Sequence, residues 1–137
     1  MNVPDKFFDT NVLLYLLSSD DSKANKSEEL IQQGGHISIQ VLNEFASVST
    51  RKLKMAYADI QEILTPIRAI CVIHPLTEAI HDLGFSLSER YRLSIYDAMI
   101  VASALTAECK TLFSEDMQDG LVILQTLRIC NPFHKGQ

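Results

Sequence analysis

FFDTNVLLYL, residues 7–16, runs two phenylalanines into an acid, then through Thr10 and Asn11 into the unbroken apolar and aromatic stretch Val12–Leu17. Lys6–Asp9 reads as a short strand and Asn11–Ser18 as a helix. A chain that hands a buried strand directly to a buried helix is building a strand–helix unit. It also leaves the Asp9 carboxylate at the carboxyl end of the strand.

Outward from that stretch, periods of 2 and 3.6 alternate to the end of the chain. Ser22–Gln33 is amphipathic, with Asp20, Asp21 and Ser22 as cap candidates and Gly34-Gly35 as its stop. His36–Ile39 reads as a strand. Gln40–Lys54 and Ala58–Ala69 read as helices, the second bent or shortened by Pro66. Ile70–His74 is a β-branched strand before Pro75. Leu76–Ser86 begins a helix interrupted near Gly84, and Tyr96–Glu108 is a strongly apolar helix. Thr111–Ser114 is a strand, and residues 121–131 hold one or two more, chiefly Leu127–Cys130. This alternation predicts an α/β chain with a parallel sheet covered on both faces. Right-handed crossovers make it a three-layer α/β/α sandwich with a central parallel sheet of four to five short strands. Residues 1–137 read as one domain, without repeat, linker or low-complexity tract.

Four acids stand out in this frame. In a parallel sheet, ligands bind outside the carboxyl ends of the strands. Asp9 is placed there, although an ordinary helix N-cap also suits it. Asp97 lies in RLSIYDAMIVASAL, whose following residues are apolar all around the helix except Ser103, so that helix is buried. A carboxylate at its start needs a partner; a capping box with Ser94 is the alternative reading. Glu44, in SIQVLNEFASVS, falls at the edge of the stripe Val41, Leu42, Phe45 and Val48. Asp116, in TLFSEDMQDG, follows another strand into a loop that also holds Glu115 and Asp119.

Acids gathered at one end of one sheet repel and raise one another's pKa. A divalent cation resolves this, and oxygen-only ligands select Mg²⁺ or Mn²⁺, which keep waters and favour phosphate substrates. The formal net charge of −5 argues against simple electrostatic binding to nucleic acid. The four acids account for most of that charge, however. Two basic clusters remain as candidate substrate contacts: Arg51, Lys52 and Lys54 after the Glu44 helix, and Arg90 and Arg92 before Asp97.

Other chemistries are poorly served. The histidines His36, His74, His81 and His134 have no zinc-ligand spacing. Cys71, Cys109 and Cys130 are odd in number without a CxxC, so reduced thiols are expected. No Ser–His or Cys–His constellation competes. An aspartate phosphatase needs a second acid two residues after the first, and that position is Asn11. No apolar run approaches the roughly 18 residues that span a bilayer, so no membrane association and a cytoplasmic location are expected.

The order FFDTNVLLY, NEFASV, IYDAMIVASAL, LFSEDMQDG and LRICNPF resembles the PIN domain, and more narrowly the VapC-type toxins of bacterial toxin–antitoxin pairs. The resemblance covers nearly the whole chain. It implies a metal-dependent ribonuclease with an acidic pocket made by Asp9, Glu44, Asp97 and Asp116, which serve as metal ligands for Mg²⁺ or Mn²⁺. Asn11 and Ser114 match polar positions that orient those acids. Asp119 is a further candidate for the fourth acid. An RNA substrate, a small antitoxin partner and a homodimer are likewise implied. The alternative is a catalytically silent PIN-fold module that binds RNA or a partner.

Overall fold

The computed structural model describes residues 3–133; His134 lies outside them. The strands are β1 (Lys6–Phe8), β2 (Gly35–Ser38), β3 (Cys71–His74), β4 (Thr111–Phe113), β5 (Val122–Ile123) and β6 (Leu127–Cys130). The helices are α1 (Thr10–Leu14), α2 (Asp21–Gln32), α3 (Ile39–Arg51), α4 (Tyr57–Ile70), α5 (Glu78–Tyr91) and α6 (Ile95–Thr106). A 3₁₀ turn at Tyr15–Leu17 extends α1.

The strands form one sheet in the order β3-β2-β1-β4-β6-β5. Every pairing is parallel except β5 with β6. Phe7 and Phe8, which point to opposite faces, are both fully buried; a sheet covered on both sides explains why this strand does not alternate. Helices therefore flank a mostly parallel sheet. Connections β1→β2→β3 step one way, and β3→β4 steps back past them. Right-handed crossovers then put α1–α4 on one face and α5–α6 on the other. The chain reverses direction between β1 and β4, and the crevice at such a switch point is where open α/β sheets hold ligands. Asp9 follows β1 and Ser114 follows β4, so both stand at that crevice.

Local signals explain the element ends. Asp20 caps α2 by accepting from Ser22 N and Lys23 N at 3.1 and 3.3 Å. Ser38, Thr77 and Ser94 cap α3, α5 and α6 in the same way. Phe45 is fully buried under α3, and truncating it to alanine costs on the order of 3–5 kcal/mol.

Three expectations need correction. The sheet has six strands rather than four to five, because the two-residue β5 folds back on β6 through a turn in which Leu124 and Gln125 both take positive φ. It is consequently antiparallel at that edge. Gly84 does not interrupt its helix; α5 runs unbroken from Glu78 to Tyr91. Its role is close approach: a Cβ at Gly84 would stand 2.8 Å from Met99 Sδ, so glycine lets α5 pack onto α6. Pro66 does not shorten α4, which continues to Ile70. The Glu62 carbonyl that loses its donor belongs to an exposed residue, so it is not forced into a buried, unpaired position.

Candidate active site

Asp9 is the N-cap of α1 and something more. Its Oδ1 accepts from Thr10 N at 2.7 Å. Its Oδ2 accepts from Ser114 Oγ at 2.7 Å and Asn11 Nδ2 at 3.2 Å. The cap takes one oxygen while the crevice takes the other. The residue is 3 % exposed. Burial pushes its pKa up to about 7, and the charges of Asp97 and Glu44 add to that; the bonds from Ser114 and Thr10 oppose it. Without a cation, this carboxyl is only partly ionised at neutral pH.

Asp97 sits in the first turn of α6, where its N–H donates to Ser94 Oγ at 3.1 Å. Burial raises its pKa, the charges of Glu44 and Asp116 raise it further, and the Ser94 side chain lowers it. Capping and crowding thus act on the same residue.

Glu44 is half-buried on α3. Thr10 Oγ1 donates to its Oε1 at 2.7 Å, and Gln40 Nε2 donates to its Oε2 at 2.8 Å. Sequence reasoning missed both donors. Gln40 stands four residues before Glu44 on one helix, a spacing that could have flagged it. Thr10 lies 34 positions away and carried no such signal.

Asn11 ties the two strand-end loops together. Its Nδ2 donates to Asp9 Oδ2 and, at 3.1 Å, to Asp116 Oδ2. Its Oδ1 accepts from Glu115 N at 3.2 Å. A carboxylate here would lack the donor that joins two acids. Ser114 Oγ also accepts from Met117 N at 3.2 Å, which turns the loop.

Asp9, Glu44, Asp97 and Asp116 all line one cleft of about 360 Å³, together with Thr10, Asn11, Leu14, Ser47, Val48 and Tyr96. No Lys or Arg is among these lining residues. Asp119 is placed elsewhere: its carboxylate accepts from Asn131 N at 2.8 Å. Glu115 also turns away. It accepts from Tyr15 Oη and, at 2.9 Å, from Lys23 Nζ. Lys23 Nζ in turn lies 4.6 Å from the Tyr15 ring centroid. This strut braces the loop that carries Asp116, and the sequence did not reveal it.

The five basic candidates are exposed, and none lines the cleft. Arg51 stands two turns from Glu44 on the same face of α3. Lys52 caps α3, and Lys54 follows with φ of 56°. Arg90 stacks 5.2 Å from the Tyr91 ring centroid, and Arg92 ends α5 in the left-handed region.

The donor set fits a hard divalent cation: four carboxylates face one space with no cationic side chain lining it. Among the described residues, no three such side chains stand close enough together to hold a metal ion between them. Mg²⁺ keeps several waters and is commonly held through only one or two carboxylates.

Comparison with known proteins bears on the fold. The chain matches a toxin–antitoxin complex from Klebsiella pneumoniae with a TM-score of 0.70 at 23 % identity, over 93 % of this chain and 98 % of that one. It matches the sarcin–ricin loop cleaving toxin VapC20 of Mycobacterium tuberculosis with a TM-score of 0.65 at 17 % identity, over 81 % and 91 %. It matches VapBC2 of Rickettsia felis with a TM-score of 0.63 at 23 % identity, over 90 % and 96 %. These similarities establish a shared fold. No curated protein sequence matches the chain. The PIN domain family model matches residues 6–118. Because that match runs from the first strand through the loop carrying Asp116, the chain belongs to the PIN domain family.

Proposed function

We propose that this protein is a Mg²⁺- or Mn²⁺-dependent endoribonuclease, the toxin of a toxin–antitoxin pair. The observation that carries the reading is the convergence of Asp9, Glu44, Asp97 and Asp116 on one cleft at the switch point of the sheet. PIN domains generally use divalent metal ions. The similar folds include a toxin–antitoxin complex and a toxin that cleaves the sarcin–ricin loop. Those likenesses support an antitoxin partner and an RNA substrate here. A homodimer and a cytoplasmic location complete the proposal; among the described residues, no helix is long and apolar enough to cross a membrane.

A bound divalent cation would supply Lewis-acid activation of water and charge neutralisation at the phosphate. The chain's own residues prepare the place. Asp9 and Asp97 would hold the cation, with Asp116 and Glu44 completing the acidic wall. Ser114 and Asn11 fix the direction of Asp9, and Asn11 holds Asp116 beside it. Thr10 and Gln40 hold both oxygens of Glu44, so that it receives a water or an ion without a rotamer search. Arg51, Lys52, Lys54, Arg90 and Arg92 lie outside the cleft and serve phosphates remote from the one cleaved.

RNA cleavage by purified protein tests the reading. Cleavage is expected with Mg²⁺ or Mn²⁺, to stop with EDTA, and to collapse in Asp9→Asn and Asp97→Asn while both variants stay folded. Asn caps a helix about as well as Asp, so a capping role alone predicts near wild-type cleavage by Asp9→Asn. That result, or calorimetry showing no divalent-ion binding at millimolar concentration, would overturn the proposal.

A further inference from the structure

We infer that the cleft next to the acidic one is a subsite for an unpaired nucleobase, with Tyr96 as its stacking platform. This inference rests on the nucleotide-cleaving reading above and specifies what the site grips besides phosphate. Tyr96 directly precedes Asp97 in the first turn of α6 and is 66 % exposed. It lines the acidic cleft and also a second cleft of about 540 Å³. Gln40 shares this position between the two: its amide holds Glu44, and the residue lines the second cleft. A phosphate placed at the acids therefore has its neighbouring sugar and base directed past Tyr96 and Gln40.

The second cleft suits a base. Ile95 and Met99 give it an apolar floor, while Thr77 and His81 offer hydrogen-bonding groups at its wall. Stacking on an aromatic face is open to every base and is available only to bases out of a duplex. The electrostatics favour such a contact. Neither cleft is lined by Lys or Arg, and the chain carries a net charge of −5. Within these two clefts phosphate attraction therefore comes from the cation, and an uncharged contact adds grip beside it.

Calorimetry with nucleoside 5′-monophosphates and with ribose 5-phosphate, each in Mg²⁺, tests the subsite without requiring cleavage. Wild-type protein should bind the nucleotides roughly 10-fold or more tighter than the base-free sugar phosphate. Tyr96→Phe should keep that preference and Tyr96→Ala should lose it. On single-stranded RNA, Tyr96→Ala should raise KM by a similar factor with kcat little changed. Nucleotides binding no better than ribose 5-phosphate, while the wild type cleaves RNA, would overturn the subsite and leave the nuclease standing. Base preference without cleavage would do the reverse. If Tyr96→Ala instead converts a dimer into a monomer in light scattering and keeps the nucleotide preference, Tyr96 belongs to a protein interface and the subsite is overturned.

Discussion

Ser114 Oγ donates to Asp9 Oδ2 across 2.7 Å, although 105 positions separate the two residues. The bond is the foremost influence opposing burial at Asp9, whose pKa nevertheless reaches about 7 from an ordinary 3.8. A group whose folded pKa lies above its unfolded value carries stability that is complete below the unfolded pKa and lost as pH rises through the folded one. The metal-free protein should therefore lose stability between about pH 4 and about pH 7, by at most roughly 4 kcal/mol from this group. Asp9→Asn removes the titration and should flatten that slope, leaving the variant more stable than wild type at pH 8 in EDTA. Urea melts at pH 5 and pH 8 check both; a wild-type slope unaltered in Asp9→Asn would sink the assignment. Ser114→Ala should steepen the loss, since a bond favouring the charged form is gone.

The Lys23–Glu115–Tyr15 strut lies outside the acidic cleft but holds the loop on which Asp116 rides. Glu115→Ala frees that loop from α2 and from the 3₁₀ turn at once. Outer partners of metal ligands typically matter about 10- to 100-fold. Mg²⁺ affinity measured by calorimetry should fall by about 10-fold, with a change in melting temperature much smaller than for a core truncation. Full Mg²⁺ affinity in Glu115→Ala would show the strut to be a surface ion pair alone, of the kind worth about 0–1 kcal/mol.

Cys71, Cys109 and Cys130 are free thiols. Burial raises the first two to about 11 and about 12, with the Asp5 charge adding to the second. Cys130 is half-buried, and its pKa is raised more modestly, by burial first and by Asp119. Titration of denatured, unreduced protein should count all three thiols. In native protein at pH 8, Cys130 should react first and the other two only on unfolding, because the thiolate is the reactive form. Equal labelling rates at all three would contradict the burial.

His36 Nδ1 and His74 Nε2 lie 2.8 Å apart across β2 and β3. In the neutral pair one of these two nitrogens carries the proton and donates while the other accepts. Burial lowers both pKa values; Asp5 and Pro4 partly oppose this at His36, and the His36 charge adds to it at His74. The neutral pair is the stable one, so its contribution is complete above about pH 6.5 and is lost as pH falls through the lowered folded values. Unfolding followed from pH 7 to pH 5 should show this acid-side loss, reduced in His74→Phe, which keeps a ring beside Phe7. An identical acid limb in the variant would exclude the pair as its cause.

Much of this protein is legible residue by residue. The strand–helix alternation, the caps at Asp20 and Ser94, and the buried all-round helix α6 follow from contacts between residues two to four positions apart, which the order of the chain displays directly. Placing Asp9 and Asp116 at strand ends needed nothing further, because a parallel sheet exposes its carboxyl ends to ligands. Two local rules misled in part: Gly84 reads as a break, and Pro66 as a bend or a shortening, of which the shortening does not occur. Both depend on surroundings that a local pattern does not contain, Met99 packed against one and an exposed helix face around the other.

By itself, the sequence determined which elements form, that acids crowd one end of the sheet, and that hard-oxygen chemistry suits them. Only the tertiary structure decided who holds each acid. Thr10 reaches Glu44 across 34 positions, and Asn11 reaches Asp116 across 105. It also decided that Asp119 turns to Asn131 and Glu115 to Lys23, though all of these acids share one loop with Asp116. The physical reason is range. Helix and strand periodicity is set by neighbours along the chain, whereas a hydrogen bond or a shared cleft depends on which distant segments the sheet order brings within about 3 Å.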